Sequence, residues 1–338
     1  MSVPASIIVI GASAGGVDAL RTIVAALPAD LDAAVFVVLH IGAHRSDLPW
    51  LLARSGNLPA AHGKDGEIIV AGQIYVAPPD HHLIIEAGRV QLTKGPRENW
   101  ARPAIDPLFR SAARGYGDAV VGVILTGGLN DGTAGLYEIK QSGGLAIVQD
   151  PDDCLTPNMP QSAIANVAVD HVVPAALIGP LLARLVAAKA ARAGPAQIAV
   201  ELETGDAQEN GMTAEFTVNR PVAVTCPDCG GALRRSELGT LTQFSCHIGH
   251  VYTAEVMLAA QFLAMERFIE QAMRSLSERA ELCRQMLVKL ADRGATDAAR
   301  DHWRQALEEA LEQTDPLRKV LNRSWTHPGA PPNDDHSG

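Results

Sequence analysis

Ile7-Ile8-Val9-Ile10-Gly11-Ala12-Ser13-Ala14-Gly15-Gly16-Val17-Asp18-Ala19-Leu20 is the stretch on which the fold turns. Four β-branched apolar residues in succession read as a short strand buried on both faces. A turn of small residues follows, and apolar spacing resumes at Val17, Leu20 and Val24 with the period of a helix. Ser13 therefore stands where a strand end passes tightly into a helix N-terminus, among backbone N–H groups that the helix cannot itself satisfy. A serine nucleophile needs such a place, because the oxyanion formed on attack must meet donors already in position. The glycines allow the sharp turn and leave room for a substrate carbonyl. Two phosphate-binding readings fail. A dinucleotide loop requires glycine where Ser13 stands, and a Walker A loop would run into Gly-Lys-Ser/Thr where Val17 follows Gly16. A helix-capping serine in a structural turn is the plain alternative.

Working outward, residues 5 to about 193 alternate strand-like and helix-like segments. A helix to about Leu27 leads to Ala33–Leu39, a second buried strand that ends at His40, and a polar turn precedes Leu48–Leu52. Glu67–Val76 and His82–Leu92 read as antiparallel excursions, with Glu86-Ala87-Gly88-Arg89 as a hairpin connection. Ala119–Leu125 is another buried strand, followed by Thr126-Gly127-Gly128-Leu129-Asn130-Asp131-Gly132 and a helix to about Gln141. Leu145–Val148 is a further strand, and residues 161–193 are mostly helical, interrupted by Val167–Val173. This alternation predicts a doubly wound, mostly parallel α/β sheet with helices on both faces.

In such sheets ligands sit outside the carboxyl ends of the strands. Ser13, His40 and Asp131 each fall at that end of an expected strand. Their roles suit hydrolysis: serine attacks, imidazole takes its proton, and a carboxylate fixes the imidazole tautomer. The order Ser…His…Asp differs from the Ser…Asp…His of α/β-hydrolases. Each residue also has an ordinary explanation. Asp131 lies in good turn chemistry at a helix start, and His44, His62, His81 and His82 are imidazoles that spacing does not exclude.

Longer blocks narrow the choice. Ile10–Gly16, the strand ending in Leu39-His40, and Ile74-Tyr75-Val76-Ala77-Pro78-Pro79-Asp80-His81-His82 are followed by Arg102-Pro103-Ala104-Ile105-Asp106-Pro107-Leu108-Phe109. Leu125–Gly132, Gln149-Asp150-Pro151 and Met159-Pro160 complete the set. In this order they resemble the catalytic domain of the chemotaxis protein-glutamate methylesterases, the CheB type, over residues 5 to about 190. The resemblance implies Ser13 as nucleophile, His40 as base and Asp131 as its orienting acid, with no catalytic cofactor. It implies glutamyl γ-methyl esters on the cytoplasmic helices of chemoreceptors as substrate, with receptor glutamines also deamidated. Backbone N–H groups near Ala14 and in the Gly127–Leu129 turn are the expected oxyanion donors. Gly128 stands where the family often has methionine, and Arg102 is either a receptor contact or a residue fixing its own loop. Family members familiar for phosphorylation control carry a receiver domain before this strand. With the strand starting about five residues from Met1, none is expected here.

The C-terminal part departs from that family. Residues 194–222, with Glu201, Glu203, Asp206, Glu209 and Glu215, read as an acidic linker. Cys226-Pro227-Asp228-Cys229-Gly230-Gly231 and Cys246-His247-Ile248-Gly249-His250 follow, the spacing of a zinc ribbon. Cys226, Cys229, Cys246 and His250 are the expected ligands of a structural Zn²⁺, with His247 the rival fourth. A zinc module of this kind is expected over 223–252 and to have no part in hydrolysis. Apolar residues from Phe262 through Leu290 recur at helical spacing, break near Gly294, and resume from Trp303 to Leu321, with Pro316 inside the second run. A helical hairpin over 253–326 packed on itself is expected, with a partner-docking or self-associating coiled coil as the sharper alternative. Residues 327–338 read as a disordered tail.

Composition bounds the rest. The 338 residues carry a formal net charge of −10 and are 47% hydrophobic, enough for a full core and too acidic for general nucleic-acid binding. No apolar run reaches the length of a membrane span, and no export signal is visible. The expectation is a cytoplasmic esterase with an appended metal and helical module. The alternative is a non-catalytic signalling adaptor that binds partners through the same two parts.

Overall fold

The computed structural model describes residues 4–43, 45–193, 224–292 and 296–323. The acidic linker, the tail, Gly294 and His44 lie outside the described residues. The first unit, residues 1–257, is built on β1 (Ser6–Ala12), α1 (Gly16–Ala25), β2 (Ala33–Leu39), α2 (Leu48–Ser55), β3 (Ala60–His62) and β4 (Ile74–Val76). It continues with the pair β5 (His82–Glu86) and β6 (Arg89–Thr93), then α3 (Ile105–Tyr116), β7 (Val120–Ile124) and α4 (Thr133–Gln141). After these come β8 (Leu145–Gln149), α5 (Asn158–Asn166), β9 (His171–Val173) and α6 (Ala175–Ala193).

Seven of these strands form one sheet in the order β3-β4-β2-β1-β7-β8-β9, and every pairing in it is parallel. All seven residues of β1 are buried and side chains alternate faces. Ile8 and Ile10 join the apolar layer under α1, α2 and α6, while Ile7 and Val9 join the layer under α3, α4 and α5. Covered on both sides, the central strands have no use for polar alternation, which is why they read as continuous apolar runs. One expectation is corrected. β5 and β6 form the expected antiparallel hairpin, and Ile68 bridges antiparallel to Arg89, but the end of Glu67–Val76 is β4, which pairs parallel to β2 and β3. Three buried residues are too few for periodicity to reveal their partner. No described helix is long and apolar enough to cross a membrane.

The same compact unit holds a three-stranded antiparallel sheet, β10 (Leu233–Leu238), β11 (Leu241–Cys246) and β12 (Val251–Thr253), and the start of α7 (Ala254–Asp292). Its small core gathers Cys226, Leu233, Cys246, Tyr252, Val256 and Met257. The second unit, residues 258–338, holds the rest of α7 and α8 (Asp297–Leu321). Thr296 caps α8 by accepting the Ala299 N–H. Arg279 meets Glu309 at 3.8 Å, with both residues at similar distances from the turn, so the helices run antiparallel. Ala280, Cys283 and Ala310 are buried there, as a hairpin packed on itself requires.

Candidate active site

Parallel register brings the site together. Ala12 pairs with Leu39, and the His40 N–H donates to Ala12 O at 3.2 Å, so Ser13 and His40 leave neighbouring strand ends side by side. Ser13 N–H donates to Thr126 O at 3.0 Å, which ties the exit of β1 to the exit of β7. The strand order reverses between β1 and β7, the switch point at which open sheets bind ligands. The turn into α1 needs its glycines: Gly15 has φ +78°, and a Cβ on Gly16 would lie 2.6 Å from the Ala12 Cβ. Ser13 Oγ makes no hydrogen bond among the described residues, and apo nucleophile–base pairs are commonly loose in this way.

Asp131 is 2% exposed and its carboxylate is held from several sides. Oδ2 meets His40 Nε2 at 2.8 Å and accepts the Ile105 N–H at 2.6 Å. Oδ1 accepts from Asn99 Nδ2 at 2.8 Å and from the Gly132 N–H at 3.0 Å. Burial pushes the Asp131 carboxyl up, but the hydrogen bond and charge of His40, with the donors Ile105 and Asn99, outweigh it and hold it below the usual range. It is ionised at neutral pH. With Nε2 turned to Asp131, Nδ1 is the His40 nitrogen left to take a proton.

Two buried polar groups behind this pair carry no periodic signal in the sequence. Asn99 gives its two amide hydrogens to two acids, Asp131 Oδ1 and Asp106 Oδ2, the latter at 2.7 Å. Asp106 is 1% exposed and also accepts the Gly135 N–H at 2.7 Å. Burial, and then the charge of Asp131, raise its carboxyl well above the usual range. The Arg102–Phe109 block contained Asp106, yet nothing in its spacing showed that it would lie behind the His40–Asp131 pair.

Other candidates resolve differently. His62 and His81 are engaged with backbone carbonyls, and buried His82 bonds Pro96 O and accepts the Ala104 N–H. Arg102 grips Asp80 at 2.7 Å and the carbonyls of Lys94 and Gly95, the loop-fixing role. Among the expected oxyanion donors, Gly127 N–H is already given to Thr156 O at 2.8 Å. Ala14, Gly128 and Leu129 have no such acceptor among the described residues, and Gly128 faces open space. A cleft of about 340 Å³ opens beside His40, lined by Arg97, Asn99, Trp100 and Arg102.

The structure also assembles Cys226, Cys229, Cys246 and His250, whose ligand atoms all lie within 4.8 Å of one another. Left-handed Gly230 (φ +71°) and Gly249 (φ +100°) turn the two knuckles. The Sγ atoms of Cys229 and Cys246 are 3.7 Å apart, and His250 Nδ1 lies 3.4 Å and 3.6 Å from the sulfurs of Cys246 and Cys226. A tetrahedral ion at ordinary Zn–S and Zn–N lengths needs separations of about 3.5–3.8 Å, so the donor set fits such an ion. His250 Nε2 faces Asp228 at 3.9 Å, the outer carboxylate that metal-binding histidines usually have. His247 instead packs over Gly231.

Comparison with known proteins agrees with this architecture. The family model for CheB methylesterase matches residues 8–182. A Leptospira interrogans protein, provisionally named protein-glutamate methylesterase/protein-glutamine glutaminase, is 44% identical over 181 residues, covering 53% of this chain and 93% of that one. The protein-glutamate methylesterase/protein-glutamine glutaminase of Pyrococcus horikoshii is 39% identical over 180 residues, 51% of this chain and 49% of its own. The chain thus spans nearly all of the first relative and about half of the second. The crystal structure of the Thermotoga maritima CheB methylesterase catalytic domain superposes with a TM-score of 0.51 at 36% identity, over 53% of this chain and 98% of that one. Sheet, strand-end residues and family match converge: the chain belongs to the CheB methylesterase family.

Proposed function

We propose that this chain is a protein-glutamate methylesterase acting through Ser13, His40 and Asp131 on the cytoplasmic helices of methylated chemoreceptors. The observation that carries the reading is the 2.8 Å His40–Asp131 pair beside the Ser13 turn, at the carboxyl edge of the sheet. Ser13 Oγ attacks the ester carbonyl while His40 Nδ1 takes its proton. N–H groups of Ala14 and of Gly128 or Leu129 receive the oxyanion. The tetrahedral intermediate collapses with loss of methoxide, which leaves as methanol with the proton from His40. Water, deprotonated by His40, then attacks the acyl-enzyme, freeing the glutamate and restoring Ser13. A glutamine side chain would follow the same path with ammonia as leaving group. Asp131 stays ionised throughout, holding the imidazole tautomer and stabilising its cation.

The supporting parts are proposed with it: a catalytic domain over residues 1–193, a Zn²⁺ ribbon over 223–252 and a helical hairpin over 253–326, in the cytoplasm. Exposed Phe268 and Val288 on α7 make the hairpin a surface for a signalling partner or self-association. The test is methanol release from methylated receptor membranes. The parent chain should release methanol, and Ser13→Ala should lose turnover by about 10⁶-fold where chemistry limits the rate. Receptor binding without methanol release by the parent chain would instead describe an adaptor.

A further inference from the structure

The metal cluster and the catalytic acid lie in one compact unit, and a short chain of bonds joins them. His250 is followed directly by β12. Val251 O accepts the Asn99 N–H at 2.8 Å, and Glu98 bridges to Val251 in parallel. Thr253 N–H donates to Asn99 Oδ1 at 3.2 Å. The Asn99 amide, so held from one side, spends its hydrogens on Asp131 and Asp106 on the other. A second strut runs beside it: Thr253 Oγ1 bonds Asn130 Oδ1 at 2.6 Å, next to Asp131 in sequence. Trp100 packs on the small core of the ribbon. The Cys246–His250 knuckle also abuts this loop, since a Cβ on Gly249 would lie 3.1 Å from Pro96.

These contacts are costly to hold without support. Asn99 and Trp100 both have positive φ, +46° and +67°; asparagine adopts this region readily, whereas a bulky tryptophan does so only when its surroundings impose it. The imposing element is β12, three residues long and paired with β11. A ribbon this small has little apolar core of its own, so metal binding supplies most of its order.

We propose that the Cys226–Cys229–Cys246–His250 site is a metal-dependent latch on the catalytic acid: an ion bound there fixes β12, and β12 fixes Asn99 against Asp131. Asn99 is a positioning residue in this scheme; it touches Asp131 and not substrate. The proposal rests on the triad reading given above. It replaces the expectation that the zinc module has no part in hydrolysis, because the ribbon strand itself holds the residue behind Asp131.

The experiment uses the full chain loaded with zinc, stripped by a chelator, and reloaded. Stripping should lower kcat on a small ester by about 10- to 100-fold, the effect of one lost hydrogen bond to a charged group, with KM little changed. Hydrogen exchange at the Asn99 amide should rise on stripping, while amides of β1 and β2 stay protected, and zinc should restore both readings. Asn99→Ala should lose a similar share of kcat and no longer respond to zinc. Exchange over residues 98–101 that ignores zinc would overturn the latch, as would an Asn99→Ala chain that keeps the full metal response. Should Asn99→Ala fail to fold, the reversible exchange response of the parent chain decides alone. The triad is judged separately: a Ser13→Ala chain that still hydrolyses the ester would remove that reading, and the exchange response to zinc would stand or fall independently.

Discussion

Asp131 and Asp106 share one donor, Asn99, and burial raises both carboxyls, yet their neighbours shift them in opposite directions. Asp131 is held ionised by His40, Ile105 and Asn99, whereas Asp106 is desolvated next to a charge of the same sign. Replacing Asp131 by asparagine should cut turnover by roughly 10⁴-fold by allowing the wrong imidazole tautomer, with little change in circular dichroism. Turnover within tenfold of the parent would remove Asp131 from the mechanism. The two acids also predict opposite pH effects on stability. The depressed folded value of Asp131 contributes stability that is complete above about pH 4 and is lost as pH falls through that folded value. Asp106 runs the other way: from about pH 4 up to its raised folded value the folded state binds the extra proton, so stability falls as pH rises. Asp106→Asn should remove that second slope, gaining on the parent by up to about 1.4 kcal/mol per pH unit. Urea unfolding of both chains at pH 5 and pH 7 measures it, and a stability difference that is the same at both values would contradict a raised Asp106 carboxyl.

At the scale of elements, the strand–turn–helix from Ser6 to Ala25 works because small residues let its parts close on one another. Gly15→Ala would place a Cβ 2.7 Å from the Leu155 Cβ at φ +78°, combining a clash with a left-handed backbone. A loss of about 1–3 kcal/mol is expected from the backbone alone, read as a lower urea midpoint. Gly127 is packed as tightly: a side chain there would run into Met159 and lie 2.8 Å from the Ser13 Cβ. Gly127→Ala should therefore displace Ser13 and reduce ester turnover more than it reduces stability. In the helical hairpin, Ala310 is 2% exposed on α8. Ala310→Asp would bury an unpaired charge and should lower the helical signal at 222 nm on mild heating. An unchanged melting curve would mean that α8 does not pack through this face.

For the whole molecule, the three-stranded sheet belongs to the compact unit of the seven-stranded sheet and reaches, through Thr253 and Asn99, the carboxylate of Asp131. Elemental analysis should find about one zinc per chain, and Cys246→Ser should lose it. In the metal-free chain the ribbon should melt before the seven-stranded sheet, because that sheet has its own two apolar layers and the ribbon does not. A single melting transition, unmoved by zinc, would rule out the metal as the source of the ribbon's order.

Much of this was legible in the chain itself. Continuous β-branched runs such as Ile7–Ile10 announce strands covered on both faces, and such strands pair parallel, so the ends carrying Ser13 and His40 could be foreseen. Cysteine spacing likewise announced the cluster of Cys226, Cys229, Cys246 and His250, since knuckle geometry is local. What spacing leaves open is anything decided by contacts between distant segments. That Ile74–Val76 joins the main sheet, that Gly127 N–H is consumed by Thr156, and that His250 rather than His247 faces the cysteines follow from packing. The same holds for Asn99. Its role is set by Val251 and Thr253 on one side and by two buried carboxyls on the other, residues separated from it by as many as 154 positions. Local propensity acts within a few residues, whereas a buried amide is positioned by whichever partners the folded chain brings to it.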